Sequence, residues 1–395
     1  MTKTETSPAQ QPQSATEPGD KYQQTFSQIM SLADVQLNGE DPADIQVHNP
    51  ALYKRVLAGG SLALGEAYMD GWWDCQALDQ FFTKVLASDL DERIVPLGMK
   101  YQLLKSKLFN MQTKLKARKV IEVQYDLSAD LFMSFLDPYN QYTCGYFKDT
   151  DNLNTAQEQK LDMICQKLEI SETDKVLDIG CGWGGFAKFA AERYGCQVVG
   201  LTISDSQMAY AKKFCKGLPV EIVKTDYRES QGTFDKVLVC GMIEHVGYKN
   251  YRHLMQIVHD RLRPGGLFLL HTIGRSTSTT RAEPWYDKYI FPNGMLPSPK
   301  QLMNAAEGLF TLNDWHSFGK YYDNTLMAWY ENFVHNWDRI KSAYDERFFR
   351  MWIYYLTSSA AGFRCNLNQL WQIILAKQDE GLDSPSLAFD RQRPE

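Results

Sequence analysis

An alternation of strand-like and helix-like segments begins near residue 151 and constrains the fold more than any other feature of the sequence. Short apolar runs alternate with longer amphipathic stretches, an order typical of parallel strands joined by helices in a doubly wound α/β sheet. The predicted strands are Lys175–Ile179, Gln197–Leu201, Val220–Thr225, Phe234–Cys240 and Leu267–His271, with two later ones near Thr311–Ser317 and Gln369–Ala376. The predicted helices are Thr155–Leu168, Trp183–Arg193, Ser206–Lys216 and Asn250–Leu262.

A glycine-rich turn follows the first of these strands. The segment KVLDIGCGWGG places Asp178, Gly180, Gly182 and Gly184 in the pattern D-x-G-x-G-x-G, with Cys181 inside the turn. Glycines let the backbone turn sharply and approach a ligand closely. The pattern differs from the dinucleotide motif G-x-G-x-x-G, whose helix N-terminus receives a pyrophosphate. It resembles the signature of the class I methyltransferases, and this resemblance implies S-adenosylmethionine as the cofactor.

The ends of the next two strands supply further candidate cofactor ligands. A carboxylate commonly holds the ribose hydroxyls after the second strand, but the sequence there is LTIS. Thr202 and Gln207 are therefore candidate substitutes, with Ile203 between them. The third strand ends at Asp226 and Tyr227, where a side-chain acceptor could hold the adenine amino group. The alternative role for Asp226 is to cap a helix or turn.

The chain divides into five predicted parts. They are a disordered tail (1–20), a mainly helical N-terminal lipid- or membrane-docking domain (21–98), a basic linker helix (99–120), a methyltransferase catalytic domain with a helical insert covering the substrate (121–382) and a second disordered tail (383–395). The tails are polar and have little to bury. Within the N-terminal domain we expect helices near Thr25–Ala33 and Leu78–Leu90.

A basic stretch without acidic residues separates the two predicted domains. Residues 99–119 contain seven basic residues, and their apolar positions recur at helical spacing. A basic amphipathic helix suits an anionic membrane surface. A solvated linker helix is an alternative that is compatible with this role. The cations proposed for membrane docking are Lys114, Lys116, Arg118 and Lys119.

Composition argues against several classes of protein. The net charge of −6 gives no support to a general nucleic-acid binder, which needs a basic footprint. No run of about 18 apolar residues predicts a membrane span. The first residues are polar, so no secretory signal is predicted. None of the eight cysteines forms a C-x-x-C pair, so we expect reduced thiols and no metal site. A cytoplasmic protein that acts from the inner face of the cell membrane is the expectation.

Six longer motifs occur along the chain: YDLSADLFMSFLDPYNQYTCGYF, LDIGCGWGG, GMIEHVG, LLHTIG, YIFPNG and TLMAWY. Together they are more specific than any one of them, and residues 22–377 resemble the cyclopropane-fatty-acyl-phospholipid synthases. The resemblance implies a small N-terminal domain before the methyltransferase domain, a homodimer, and an unsaturated acyl chain of an intact phospholipid as the acceptor. It also implies that Tyr142 and Thr143 cover the cofactor.

The resemblance further implies a bound bicarbonate ion that acts as the base. Methyl transfer to an alkene leaves a carbocation, and a base must remove a proton from the new methyl group before a ring can close. The positions that match the bicarbonate ligands are Cys144, Glu244, His271 and Tyr322, with backbone groups near Ile273. Most of them follow predicted strands, at the edge where open α/β sheets bind ligands.

Each of these residues has a structural alternative. Cys144 could be a small buried apolar residue. Glu244 could cap the helix that begins near residue 250, and His271 could be a satisfied core histidine. His245 and Tyr321, each next to a proposed ligand, are weaker candidates for the same roles. The 17 aromatic residues between positions 310 and 375 could line an apolar tunnel, build a core or stabilise a cation.

Two other functions stay open. A related lipid C-methyltransferase would remove a proton from another carbon and give a methyl-branched or methylene-bearing chain without a ring. A non-catalytic lipid-binding module would use the cofactor only structurally. The proposed bicarbonate ligands argue against the module, because a pure binder needs no proton acceptor.

Overall fold

A mixed seven-stranded sheet with helices on both faces forms the frame of the protein, whose computed structural model describes residues 18–88, 90, 127–280 and 282–378. The basic stretch with its four candidate docking cations lies outside the described residues, as does the predicted C-terminal tail. The first helix begins at Pro18. Residues 18–20, which were predicted to belong to a disordered tail, are therefore helical. Proline favours the first helical position because its φ angle is already helical.

The described residues form nine strands and twelve α-helices. The strands are β1 Gln46–Val47, β2 Trp73–Asp74, β3 Lys175–Ile179, β4 Gln197–Thr202, β5 Val220–Lys224, β6 Phe234–Cys240, β7 Leu262–Gly274, β8 Phe310–Ser317 and β9 Gln369–Lys377. The helices are α1 Pro18–Ser31, α2 Ala51–Met69, α3 Leu78–Ala87, α4 Ala129–Met133, α5 Leu153–Lys167, α6 Gly185–Tyr194, α7 Asp205–Phe214, α8 Tyr251–Arg261, α9 Pro284–Tyr289, α10 Pro299–Ala306, α11 Lys320–Ile340 and α12 Glu346–Arg364.

The strand order of the large sheet is β5-β4-β3-β6-β7-β9-β8. The first five of these strands are parallel, and β9 runs antiparallel to both of its neighbours. The predicted class I methyltransferase fold is confirmed, with one antiparallel strand added. The chain winds outward in opposite directions from β3 and β6, and ligands bind at such a switch point, beyond the carboxyl ends of the strands.

The central strands are apolar because helices cover both faces of the sheet. In β3, Val176 packs with α5 and α6 on one face, whereas Leu177 packs with α8 and α10 on the other. β7 begins at Leu262, earlier than predicted, so α8 ends at Arg261. Leu262 has extended backbone angles, and Arg263 avoids helical angles because it precedes Pro264, so the helix does not continue through these residues. In the described part of the chain, no helix has both the length and the apolar composition to cross a bilayer.

The N-terminal helices share one apolar cluster with α11 and α12. Trp73 and Phe81 are fully buried in this cluster, and Phe82 packs edge-on against Tyr354 of α12 with ring centroids 4.8 Å apart. Arg350 of α12 joins the two parts by hydrogen bonds as well. The predicted domain boundary near residue 98 stays a prediction, but residues on both sides of it contribute to the same core.

Candidate active site

A cavity opens at the carboxyl ends of β3, β4, β5 and β6, at the switch point of the sheet. Eleven of the twelve residues predicted to bind the cofactor line it: Tyr142, Thr143, Asp178, Gly180, Cys181, Gly182, Thr202, Ile203, Gln207, Asp226 and Tyr227. Gly184 is not in the lining. It precedes α6 with a φ of 86°, and a Cβ atom there would lie 2.9 Å from Ala211 of α7. Gly184 therefore serves close helix packing.

The other two glycines of the turn shape the cavity wall. Gly180 and Gly182 have φ angles of 85° and 53°, which other residues rarely adopt. A Cβ atom on Gly180 would also lie 2.9 Å from the side chain of Met242, whereas open space surrounds the position at Gly182. The turn thus brings bare backbone to the cavity, as a closely bound ligand requires.

Asp178 ends β3 with a carboxylate that is only 2% exposed. Burial raises the pKa of Asp178 to about 7, and the positive charge of Lys160 acts in the opposite direction. A buried carboxyl group with a raised pKa becomes a charged carboxylate when a cation binds beside it. The amino group and sulfonium of S-adenosylmethionine are such cations, so Asp178 fits the cofactor that the sequence implies.

The ends of β4 and β5 carry polar side chains into the same cavity. Thr202 donates a hydrogen bond of 2.8 Å to Oε1 of Gln207, and both residues are buried. Asp226 accepts hydrogen bonds from the backbone N–H and the Nη1 of Arg228, at 3.0 and 3.1 Å. Asp226 therefore does cap a short turn, which was its structural alternative, and it also lines the cavity. Its role at the adenine stays a prediction.

The segment that holds Tyr142 and Thr143 closes one side of the cavity and is anchored from two directions. From α5, Gln157 Nε2 donates to the Thr143 carbonyl at 2.7 Å, and Lys160 Nζ donates to Thr143 Oγ1 at 2.9 Å. Tyr142 Oη donates to Tyr355 Oη of α12 at 2.9 Å. The position of this covering segment, residues 140–143, is therefore set by tertiary contacts.

Glu244 lies in a short turn after β6, close to the end of β7. Its Oε1 atom accepts hydrogen bonds from Thr272 Oγ1 at 2.9 Å and from the Ile273 amide at 2.8 Å. Its Oε2 atom is buried without a partner among the described residues. Burial raises the pKa of Glu244. Glu244 is not a cap of α8, which corrects its structural alternative. The Ile273 amide is used by Glu244, so it supports that carboxyl group and is not free for an anion.

His271 on β7 is 1% exposed and has a free ring nitrogen. Gln372 Nε2 lies 3.3 Å from Nδ1, whereas Nε2 has no hydrogen-bond partner in the described structure. Burial lowers the pKa of His271 well below its usual value, so the ring is neutral. With Nδ1 as the acceptor, the proton lies on Nε2, which can donate. His271 is thus not the satisfied core histidine of the alternative interpretation.

Cys144 and Tyr322 belong to one buried apolar cluster, and Glu244 is close enough to Tyr322 to influence it. Cys144 is fully buried, its Sγ atom is 3.7 Å from Thr325 Oγ1, and burial raises the pKa of its thiol, which is therefore neutral. Burial raises the pKa of Tyr322 too, and neighbouring Cys144 and Glu244 act in the same direction. Tyr321 instead packs against Tyr146, with ring centroids 5.3 Å apart. The geometry thus favours Tyr322 over its neighbour.

The cofactor cavity is adjacent to the second cluster, a name used here for Cys144, Glu244, His271 and Tyr322. Thr143 of the cavity wall precedes Cys144, and Cys240 of the wall pairs with His271 across β6 and β7. His245 lines the cofactor cavity, and burial lowers its pKa to about 4, so it is a neutral wall residue. Within residues 18–88, 90, 127–280 and 282–378, no three His, Cys, Asp or Glu side chains gather as metal ligands.

Five polar residues that support the site from behind are not predicted from the sequence. They are Gln157, Lys160, Thr272, Thr325 and Gln372, all completely buried. One signal was available, because Ala156, Lys160 and Ile164 follow each other at a spacing of four residues on one face of α5. A lysine on an otherwise apolar stripe indicates a buried partner.

Comparisons with known proteins place the chain among lipid-modifying methyltransferases. The model of the mycolic acid cyclopropane synthetase family matches residues 112–373. The cyclopropane-fatty-acyl-phospholipid synthase of Escherichia coli (strain K12) is 48% identical over 362 residues, which cover 91% of this chain and 94% of that protein. The tuberculostearic acid methyltransferase UfaA1 of Mycobacterium tuberculosis is 33% identical over 357 residues, covering 84% and 83%.

A solved structure supports the same relationship. The mycolic acid cyclopropane synthase CmaA1, complexed with SAH (S-adenosylhomocysteine) and CTAB, is 29% identical and has a TM-score of 0.62. The match covers 66% of this chain and 98% of that one.

Proposed function

The chain belongs to the mycolic acid cyclopropane synthetase family and is an S-adenosylmethionine-dependent methyltransferase, and we infer that its acceptor is a lipid acyl chain. We propose that it transfers a methylene group to the cis double bond of an unsaturated phospholipid and so forms a cyclopropane ring. Bicarbonate held beside the cofactor cavity is the proposed base.

One observation carries the proposal. Glu244 Oε2 and His271 Nε2 are both buried without a partner among the described residues, and both residues lie beside Cys240 of the cofactor cavity wall. Unpaired buried polar atoms cost free energy, about 1–3 kcal/mol each, so such atoms call for a bound polar group. A small oxyanion fits these two atoms, because the neutral His271 donates through Nε2 and Glu244 can accept a hydrogen bond from the hydroxyl group of bicarbonate.

The residues divide the chemistry between them. When bound, S-adenosylmethionine supplies the methyl group and bicarbonate supplies the proton acceptor. Glu244 is oriented by Thr272 and Ile273, so its second oxygen is held ready for the anion. His271 and Tyr322 stabilise negative charge as donors. The acyl chain would gain a methyl group, with S-adenosylhomocysteine as the leaving group, and would then lose one proton of that methyl group to the bound base. The electrons of the broken C–H bond would form the last bond of the ring.

The surroundings exclude water from the acyl chain. Tyr142 stacks on Trp329 with ring centroids 5.2 Å apart, and Trp329 lies 6.2 Å from the ring of Tyr322. Trp329, Tyr322, Phe135 and Trp352 are buried in the same apolar core, and the rings of Phe135 and Trp352 are 5.9 Å apart. A dry site protects a carbocation from capture by water.

Access to the substrate favours action at a membrane surface. Exposing about 16 carbons of an acyl chain to water would cost on the order of 10 kcal/mol at about 0.8 kcal/mol per methylene. We propose that the enzyme docks on the inner face of the cell membrane and takes the chain directly from the bilayer, as a homodimer whose second copy adds membrane contact. Unchanged liposome binding at low salt after replacing Lys114, Lys116, Arg118 and Lys119 by Gln would end the role of the basic stretch.

The test of the reaction is an incubation of the purified protein with S-adenosylmethionine and vesicles of an unsaturated phospholipid. NMR of the acyl chains should show cyclopropane protons. In a Glu244→Gln variant the rate should fall about 100-fold or more, because the base loses its partner. The affinity for S-adenosylhomocysteine should stay within about twofold, since Glu244 is not among the residues that line the cofactor cavity.

Bicarbonate has a separate test. Removal of carbon dioxide from the buffer should lower the rate, and added bicarbonate should restore it. A rate that does not respond would assign the proton acceptor to Glu244 itself.

A branched product is the second candidate. The relative named as a tuberculostearic acid methyltransferase is 33% identical to this chain and is not named for a ring-forming reaction. Methylated chains without ring protons would support this candidate and remove ring closure. No modified lipid at all would leave only the methyltransferase family and its cofactor.

A further inference from the structure

Lys160 is a completely buried lysine beneath the active site, on the face of α5 that points into the core. Its Nζ atom donates to Gln141 Oε1 at 2.5 Å and to Thr143 Oγ1 at 2.9 Å. Both acceptors belong to the covering segment and line the cofactor cavity. Burying a lysine costs free energy unless its amine has polar partners, and charged side chains are rarely buried without them.

The covering segment has little regular structure of its own, so contacts from elsewhere set its position. Asp137 accepts hydrogen bonds from the amides of Tyr139 and Gln141, both at 2.8 Å. Gln157 holds the carbonyl of Thr143, one helical turn before Lys160 on α5. Among Asp137, Gln157 and Lys160, only Lys160 donates to side chains of the covering segment.

Burial lowers the pKa of Lys160, whereas the nearby Cys240, Asp137, Cys144 and Asp178 act to raise it. A charged Lys160 acts in turn on the groups around the site. It favours the charged form of Asp178 at the end of β3 and disfavours a charged His271 on β7. The other titratable groups that face Lys160 are Asp137 and Cys144 on either side of the covering segment, and Cys240 at the end of β6. Cys181 in the glycine turn and Cys215 after α7 face Asp178, and burial keeps both thiols neutral.

We propose that Lys160 is a positioning residue for cofactor binding: its hydrogen bonds fix Gln141 and Thr143 of the covering segment beside the cofactor cavity. The inference rests on the proposed cofactor and is independent of the lipid acceptor. Lys160 itself need not touch the cofactor, because it is not among the residues that line the cavity.

Calorimetry with S-adenosylhomocysteine, from pH 5.5 to 8.5, measures the affinity and its dependence on pH. In a Lys160→Met variant the affinity at pH 8 should fall about tenfold or more, because two hydrogen bonds to a charged group are lost. The pH below which binding weakens should also rise by about one unit or more, because a nearby cation no longer favours the charged Asp178. A purely structural lysine would not move that pH.

Two further variants separate the effect of the lost hydrogen bonds from the effect of the lost amine. Thr143→Val removes one acceptor and keeps the charge, so affinity should fall while the pH of weakening stays in place. Lys167→Met removes another buried lysine of α5, which pairs with Asp314 at 3.4 Å and is not in the cavity lining, so it should change neither quantity. If Lys160→Met folds poorly, Lys160→Gln provides the same comparison.

Unchanged affinity and pH dependence in Lys160→Met would overturn the proposal. Weaker binding with an unmoved pH dependence would also overturn it, because that is the result expected of a purely structural lysine. Lost lipid modification with normal binding of S-adenosylhomocysteine would also contradict it, since the effect would then lie with the acceptor.

Discussion

At the scale of single residues, burial decides the chemistry of this site more than the intrinsic acidity of its side chains. The three site residues Asp178, Glu244 and His271 are all less than 10% exposed. Burial shifts the pKa of each in the direction that favours its neutral form. In a dry cavity, a carboxyl group such as Asp178 becomes charged when a cationic ligand binds beside it. Ligand binding and protonation are therefore coupled here.

Cofactor affinity should depend on pH through Asp178. Its pKa of about 7 in the free protein means that the carboxyl group is neutral below pH 7 and charged above it. A ligand with an ammonium group binds the charged form, so the dissociation constant of S-adenosylhomocysteine should be flat above about pH 8. It should rise by up to tenfold for each unit below pH 7.

Calorimetric titrations across this range check the prediction. An Asp178→Asn variant is the control and should bind weakly at every pH. A wild-type dissociation constant that is the same at pH 6 and pH 8 would contradict the assignment.

At the scale of elements, the active site depends on where α6 meets the covering segment. Gly185 begins α6, and a Cβ atom there would lie 1.7 Å from the carbonyl oxygen of Tyr139 and 2.3 Å from Gln141 Nε2. Position 185 must be glycine because a side chain there would collide with the backbone of Tyr139. The helix therefore begins with a residue small enough for the segment to rest on it.

A Gly185→Ala substitution should displace the covering segment. Overpacking of this kind costs about 1–3 kcal/mol of stability. The affinity for S-adenosylhomocysteine should fall too, because Tyr142 and Thr143 move with the segment. Thermal unfolding and calorimetry measure the two effects.

Gly195→Asn, at the other end of α6, is the matched control. Gly195 has a φ of 71°, which asparagine tolerates, and no atom lies closer than 3.5 Å to the added Cβ position. Normal binding in Gly185→Ala would show that the covering segment does not depend on this contact.

At the scale of the whole molecule, the N-terminal part and the catalytic part depend on each other. Arg350 of α12 donates to the carbonyl oxygens of Tyr68 and Trp73 and to Asp74, and its guanidinium lies 4.0 Å from the Tyr68 ring centroid. These contacts cross between segments almost 280 residues apart. The same α12 carries Tyr355, which holds Tyr142 of the covering segment.

Arg350→Met should lower the free energy of unfolding by about 2–3 kcal/mol. Most of the loss comes from the hydrogen bonds to the carbonyl oxygens of Tyr68 and Trp73, since the half-exposed ion pair with Asp74 contributes little. Denaturant unfolding measures the change.

The matched control is Arg347→Met, an exposed arginine of α12 that pairs with Asp70 at 3.0 Å. It should change stability by less than about 1 kcal/mol. Equal effects of the two substitutions would contradict the proposed importance of the buried carbonyls.

The sequence by itself determined the sheet, the glycine turn and the positions of the cofactor cavity. Strand and helix periodicity and the special angles of Gly180 and Gly182 are local properties, so they can be read along the chain. Boundaries shifted where local rules competed, as at Leu262 near Pro264.

Only the tertiary structure decided which buried polar atoms remain unpaired and which residues support the site. The bond from Glu244 to Thr272, the placement of Gln372 beside His271 and the position of Lys160 beneath Thr143 all join residues distant in sequence. Whether a buried donor finds a partner depends on the three-dimensional arrangement of separate elements. No periodicity along the chain records that arrangement.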